Sequence, residues 1–472
     1  MRPDRIVPLI VAVALFMENM DSTVIATSLP AIAADIGANP LALKLAVTSY
    51  LLSLAIFIPA SGWTADRFGA RTVFRAAIAV FVIGSIGCAL SESLAGFVIA
   101  RIVQGMGGAM MTPVGRMVMV RSIPKRELVA AMAWLSTPAL IGPVLGPPVG
   151  GFITTYASWH WIFIINVPIG ILGMILATVY IEDLRVANHE RFDGVGMVLA
   201  GLGIAGVAFG FSVLGLNFVP WPIVVGLIVG GACFIAAYLM HARRTPRPAI
   251  DLSLFRLTTF RASVLGGFVF RIGIGALPFL LPLMLQIGFG MNPLQSGLIT
   301  FMSAVGAMTM KVVAATVLRR FGFRVVLVIN AVLSAGFLAV CATFTRTTPV
   351  AAILALLLIG GFFRSLQFTS INTLAYAEVE NERVSRATVL LSVAQQLAIS
   401  AGVAFGALAV ETTLHWRGGA ALQASDFSPA FWAIGAISAA SLLIFMRLPA
   451  NAGAELADRM PAQTEPSDQR AG

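Results

Sequence analysis

Two carboxylates, Glu18 and Asp21, sit near the middle of an apolar, helix-length stretch that runs from Leu15 to Pro30. At i, i+3 spacing they share one face of a helix. An ionisable side chain at the centre of a bilayer costs roughly 2.5–3.5 kcal/mol, so it faces a partner or a water-filled cavity and marks an ion or substrate path. Two acids held together away from bulk water can take up and pass on a proton as a pair, which is the chemistry of proton coupling. Five basic residues share this setting, since Arg101, Arg116, Arg271, Lys311 and Arg364 also lie in apolar segments. Facing lipid, such a set would cost on the order of 17 kcal/mol, more than the whole stability of a typical domain. The set is therefore expected to converge on a polar cavity or to pair there, with Arg116 and Lys311 close enough to a membrane face to reach the headgroups instead.

The elements that must position these residues are membrane helices. Hydrophobic residues make up 58% of the 472 and charged residues 11%, and the mean hydropathy is +0.92. Apolar runs near the length that crosses a bilayer recur along the whole chain, at roughly 6–29, 42–62, 72–90, 94–118, 128–153, 162–181, 194–215, 221–240, 262–287, 294–318, 325–345, 349–373, 387–411 and 429–447. Fourteen spans make an all-α polytopic membrane protein. The net charge of +10 has its explanation in topology rather than in nucleic acid. Most basic residues fall in alternate loops and at the termini, for example Arg67, Arg71 and Arg75, then Arg121, Lys125 and Arg126, then Arg243, Arg244 and Arg247, while the opposite loops hold Lys44, Arg346 and Arg417. This bias places both termini in the cytoplasm, which an even number of spans requires, in a plasma (inner) membrane. The first run continues beyond the length of a signal-peptide core into the Glu18–Asp21 face, so cleavage is not expected.

Enzyme chemistry finds no support. Cys88, Cys233 and Cys341 are isolated within spans and read as small core residues without metal spacing. His160, His189, His241 and His415 are far apart, and no nucleophile, base and oxyanion donor gather in one loop. None of Lys44, Lys125 and Lys311 follows a glycine, so the chain contains no P-loop. No cofactor or metal is expected.

Asp66-Arg67-Phe68-Gly69-Ala70-Arg71 follows the second span and Arg319-Arg320-Phe321-Gly322-Phe323-Arg324 follows the tenth. If these spans correspond, 1–181 and 262–448 are two six-helix halves, 182–261 is an inserted helix pair with its linker, and 449–472 is a disordered tail. The insert carries no charge between Gly194 and Met240, which suits a hairpin lying against lipid. The buried charges then fall mainly on the first and fourth span of each half. In the fifth span, Gly142-Pro143-Val144-Leu145-Gly146-Pro147-Pro148-Val149-Gly150-Gly151 removes both donors and bulk, predicting a bent helix that a neighbour can approach closely. In the fourth, Arg101 to Ala109 sets a charge and Gln104 beside a glycine-lined face.

These stretches resemble the major facilitator superfamily, and within it the fourteen-helix drug:proton antiporter branch and its MdtD-like subgroup. The resemblance rests on Met20 to Ile25 with Leu29-Pro30 in the first helix, Gly62 to Arg71 in the second loop, Arg101 to Ala109 in the fourth helix, Gly142 to Gly151 in the antiporter motif, and Trp159 to Phe163 with Asn166 to Gly170 at the sixth helix. Ala70 departs from the arginine usual at its position. The resemblance implies two six-helix halves plus two extra helices, and export by proton antiport. It assigns proton coupling to Asp21 and Arg101, to which Glu18 is added from its place on the same face. It assigns gating to Gly62, Asp66 and Arg71, to which Arg67 and Gly69 of the same motif are added as candidates. In the superfamily the second-loop acid docks on the fifth helix of the other half, so Asp66 is expected to approach Arg386 or Arg383 when the transporter is open outward.

A sensor or scaffold without flux is the reading from a different class. Within the transporter reading, the family points to lipophilic, often cationic drugs, whereas the span charges leave an excess of positive charge that favours an anionic guest such as a di- or tricarboxylate. Arg271 and Arg364 are its expected ligands, with Gln104, Lys311 and Arg116 in the same cavity. The partners expected are this small molecule and the bilayer, with a monomeric chain and no accessory periplasmic adaptor indicated.

Overall fold

The computed structural model describes residues 3–122, 125–182, 192–216, 219–246, 248–419 and 421–457. The membrane helices are α1 (Ile6–Thr27), α2 (Pro40–Phe68), α3 (Ala70–Ala89), α4 (Leu94–Met119), α5 (Lys125–Tyr156), α6 (Trp161–Tyr180), α7 (Gly194–Val213), α8 (Trp221–Arg244), α9 (Thr258–Gly288), α10 (Pro293–Phe321), α11 (Phe323–Cys341), α12 (Val350–Leu374), α13 (Val384–Trp416) and α14 (Ala424–Phe445). Among the described residues thirteen of these helices are long and apolar enough to cross a membrane, and with α5 they follow the fourteen expected spans one for one.

Local sequence explains where they break. The prolines of α9, Pro278 and Pro282, remove backbone donors, and that span is assembled from Thr258–Gly275, Leu277–Leu283 and a π turn over Met284–Gly288. Pro59 falls in a 3-10 turn, Ile58–Ala60, inside α2. By contrast α5 is helical without interruption despite its prolines. The matched hexapeptides share one conformational requirement: Gly69 and Gly322 have φ of 91° and 77°, a region open to glycine, and each ends one helix and starts the next.

The packing repeats with the same offset. In the first half α1 contacts α4, α5 and α6, α4 contacts α2 and α3, and α3 contacts α6; in the second, α9 contacts α12, α13 and α14, α12 contacts α10 and α11, and α11 contacts α14. Each pair in one list becomes its counterpart by adding eight. The two helices between the halves, α7 and α8, pack on each other, and α7 also lies against α2 and α13. The insert is thus anchored on both halves through α7, while both of its helices also expose apolar side chains, as expected of a hairpin against lipid.

Among the described residues three side-chain hydrogen bonds join the halves at the end of the bundle opposite the chain termini. Gln286 Nε2 donates to the Thr27 carbonyl at 2.9 Å, the Leu294 amide donates to Thr155 Oγ1 at 3.1 Å, and Lys44 Nζ donates to Glu411 Oε2 at 2.9 Å. Lys44, expected in a loop, is fully buried in α2, and its ammonium also donates to the Leu214 carbonyl of the insert at 3.2 Å. Glycines let the backbones meet there: a Cβ on Gly151 would collide with the Pro293 carbonyl, and one on Gly297 with that of Pro147.

Two smaller expectations change. Cys233 is exposed on α8, unlike the buried Cys88 and Cys341. The beginning of the supposed disordered tail forms turns and a short 3-10 helix, Glu455–Ala457, with Ala452 packed in a buried apolar cluster that draws on both halves; 458–472, like His189, lies outside the described residues.

Candidate functional site

Asp21 is fully buried and each of its oxygens is bonded. Arg101 Nη1 donates to Oδ2 at 2.7 Å, while Gln104 Nε2 and Asn166 Nδ2 donate to Oδ1 at 2.8 and 2.9 Å. Arg101 and Gln104 come from adjacent turns of α4, one face of which thus supplies both a cation and an amide. Gln104 also donates to Ser85 Oγ of α3 at 2.8 Å. The Arg101 guanidinium stacks over Tyr50 of α2 at 4.1 Å, which shields it from lipid. Four spans of the first half and the start of α6 therefore converge on one carboxylate. Gln104, expected in the substrate cavity, belongs to this network.

One turn earlier on α1, Glu18 accepts from Thr112 Oγ1 of α4 at 2.8 Å. Between the two acids the α4 glycines leave space: a Cβ on Gly108 would stand 3.2 Å from the Tyr50 hydroxyl and 3.7 Å from Glu18 Cγ. The Tyr50 hydroxyl and Asn166 Oδ1 are buried without hydrogen-bond partners.

The antiporter-motif glycines work as two faces of α5. Gly142, Gly146 and Gly150, four residues apart, press on α1 at Phe16–Met20, Thr23 and Val24, while Gly151 faces α10. Pro147 offers its carbonyl to Thr27 Oγ1 at 3.4 Å, and Pro143 lies between the first two glycines on the same helix. The motif therefore fits α5 directly against the helix that carries the two acids.

In the second half Arg271 is buried in α9. Its Nη2 donates to Asn372 Oδ1 at 2.6 Å, its guanidinium lies 5.3 Å over Phe368, and its Nε is unpartnered. Arg364 stands on the same face of α12, one turn from Phe368, in a small cavity with Ser334, Phe337 and Cys341. Among the described residues neither arginine has a carboxylate within ion-pair distance. Arg116 and Lys311 are exposed; Arg116 is close enough to act electrostatically on Glu18, and Lys311 joins neither buried network.

In the last turns of α2, Asp66 is half-buried, and exposed Arg67 stacks on Trp63 and Phe68 at 5.1 and 5.5 Å. Arg71 Nη1 donates to the Ile181 carbonyl at 3.4 Å, and a Cβ on Gly62 would meet nothing within 4 Å. Arg383 and Arg386, the expected docking partners of Asp66, are engaged by Asp251 at 3.1 and 3.6 Å. Sequence reasoning missed Asp251, Ser85, Tyr50, Thr112 and the Lys44–Glu411 pair. Uncharged polar residues within spans carry a weak signal, and Glu411 sits where the last expected turn of its span ended.

Residues 11–255 and 263–466 match the family described as Major Facilitator Superfamily. Proteins provisionally designated multidrug resistance protein MdtD, from Salmonella heidelberg (strain SL476) and Salmonella typhimurium (strain LT2), are 40% identical to it over 402 residues, covering 84% of this chain and 84% of each relative. Among solved structures, a D-xylose-proton symporter superposes with a TM-score of 0.65 at 18% identity, covering 95% of this chain and 98% of its own. The human organic anion transporter MFSD10 gives 0.60 at 15%, covering 94% and 100%. At such identities these two bear on the fold alone. With both halves matched and relatives similar over most of their length, the chain belongs to the major facilitator superfamily, as a multi-pass membrane transporter and not an enzyme.

Proposed function

We propose that this protein exports a small molecule from the cytoplasm across the inner membrane in exchange for protons, without a cofactor. The observation that carries the reading is the buried Asp21–Arg101–Gln104–Asn166 network. Asp21 accepts three hydrogen bonds, and Asn166 Oδ1 has no donor among the described residues. A proton on Asp21 removes the counter-charge of Arg101 and creates an O–H that Asn166 can accept after its amide turns over. The two protonation states therefore favour different arrangements of α1, α4 and α6. Glu18, bonded only to Thr112 among the described residues, forms with Tyr50 the second station of the proton path. One proton crossing 100 mV releases about 2.3 kcal/mol, enough for useful concentration work. The basic face that carries both termini is assigned to the cytoplasm by the positive-inside bias. The chain acts as a monomer on a small-molecule substrate.

For the substrate, the two arginines of the second half support an organic anion such as a di- or tricarboxylate, bare or metal-chelated. A guanidinium in low dielectric without a carboxylate partner is stabilised by an anionic guest and repels a cationic one. The Lys44–Glu411 pair leaves this excess of positive charge unchanged. The names of the relatives support efflux, and lipophilic cationic drugs are the competing substrate class. A counterflow screen in proteoliposomes decides between them: exchange of carboxylates, lost in Arg271→Ala and Arg364→Ala, is expected. Pumping of lipophilic cations that carboxylates do not inhibit and that both variants retain would make the arginines structural. Specific ligand binding with no flux would instead support a sensor.

A further inference from the structure

On the face that carries the chain termini, α8, the linker after it and the start of α13 enclose a cavity of about 640 Å³ whose lining includes Arg243, Arg256, Arg383 and Arg386. One carboxylate, Asp251, lines it with them. Asp251 Oδ1 accepts from the Ser253 amide and hydroxyl at 3.0 and 2.6 Å, and Oδ2 is shared by Arg383 and Arg386. Arg383 also donates to Ser253 Oγ. Burial alone would raise the Asp251 pKa, but the hydrogen bonds from Ser253 and Arg383 outweigh it and hold the carboxyl below its ordinary value. Asp251 is therefore ionised near neutral pH and neutralises one of the four guanidiniums. Arg243 and Arg256 have no carboxylate within ion-pair distance among the described residues. Glu380 and Glu382 precede α13 but do not line the cavity. The positive end of the long α13 helix adds to the local potential.

The cavity is built rather than incidental. Tyr238 of α8 clasps the linker through both backbone groups of Ile250, each at 2.9 Å. Asp193, at the start of α7, joins His241 at 2.7 Å and accepts from the Ala249 amide at 3.1 Å. The rest of the wall is mostly apolar, with Leu239, Ala242 and Pro248 beside Thr245, and Leu239 and Met240 are exposed on the outer surface of α8. A basic chamber that opens next to an apolar, bilayer-facing helix matches an amphiphile with an anionic head.

We propose that this cavity binds the phosphate headgroup of an anionic phospholipid, with Arg243 and Arg256 as its primary ligands and Arg383 and Arg386 shared with Asp251. The headgroup then draws on the arginines at the start of α13, so lipid composition acts on the helix that also carries Glu411 at its opposite end. This goes beyond the transport reading and does not depend on which substrate is carried.

Native mass spectrometry of the purified full chain, titrated with phosphatidylglycerol or phosphatidylcholine, tests it. Phosphatidylglycerol is expected to bind in preference, and Arg243→Gln combined with Arg256→Gln to weaken it by about thirtyfold while leaving phosphatidylcholine unaffected. Arg319→Gln with Arg320→Gln, on the same basic face but outside the cavity, should keep the preference. Equal loss in that control would reduce the effect to general surface charge and overturn the site. Displacement of the lipid by inorganic phosphate at equal concentration would make it a free-phosphate site and overturn the lipid assignment. Should the glutamine pair fail to fold, Arg243→Ala and Arg256→Ala are read singly, each with a melting curve in detergent; lipid preference unchanged in both folded variants rejects the proposal.

Discussion

Asp21 and Arg101 are each a liability alone. Removing one member of a buried ion pair strands the other charge and costs about 3–5 kcal/mol, so Arg101→Ala is expected to lower the melting temperature of the purified protein markedly. The double variant Asp21→Ala, Arg101→Ala should recover part of the loss, which thermal melts in detergent of the parent, Asp21→Ala, Arg101→Ala and the double variant would measure. Additive losses would contradict the pairing. Glu18→Gln removes no ion pair and is expected to reduce pH-driven transport less than Asp21→Asn does. The charged types at this site were legible in the sequence because charge in an apolar run is conspicuous. Their partners were less so: Asn166, Ser85 and Thr112 look like ordinary polar residues, and the resemblance named Asp21 and Arg101 for proton coupling without pairing them. Lys44 was obscured because a cation beside a span end reads as a loop residue, and only the fold brings Glu411 to it.

At the scale of elements, glycine spacing is the device. Gly142, Gly146 and Gly150 were legible as a close-packing face, but which helix fills it was not, since spacing names a face and not a neighbour. Gly151 is the test. A Cβ there meets the Pro293 carbonyl, so Gly151→Val should hold α5 and α10 apart at the end opposite the termini. A cysteine pair at Thr155 and Leu294, whose parent groups are hydrogen-bonded at 3.1 Å, should crosslink in the parent protein and several-fold less in the valine variant; equal yields would contradict the closure. The Lys44–Glu411 pair acts on the same end. Glu411→Ala leaves Lys44 buried and unpaired, at a cost of about 3–5 kcal/mol, while Lys44→Met with Glu411→Leu should fold near normally yet open this end more readily. Thermal melts and labelling of a cysteine at Thr27 would distinguish the two. Unchanged stability in Glu411→Ala would remove the latch.

For the whole molecule, the hexapeptide repeat pointed to two halves offset by eight helices, and the packing pairs reproduce that offset. The seat of α7 on both halves was invisible, because a uniformly apolar hairpin gives no sign of which side faces protein. Orientation follows from the basic loops: in a background without Cys88, Cys233 and Cys341, a cysteine at Arg346 should react with an impermeant thiol reagent on intact cells, and one at exposed Glu380 only after lysis. The reverse pattern would invert the membrane assignment and with it the direction of transport. Proton coupling at Asp21 is tested most directly in proteoliposomes, by measuring substrate accumulation driven by an imposed pH gradient alongside gradient-free counterflow for the parent protein and Asp21→Asn. The expected result is loss of gradient-driven accumulation to the level of protein-free vesicles with counterflow retained; undiminished gradient-driven accumulation in Asp21→Asn would contradict it.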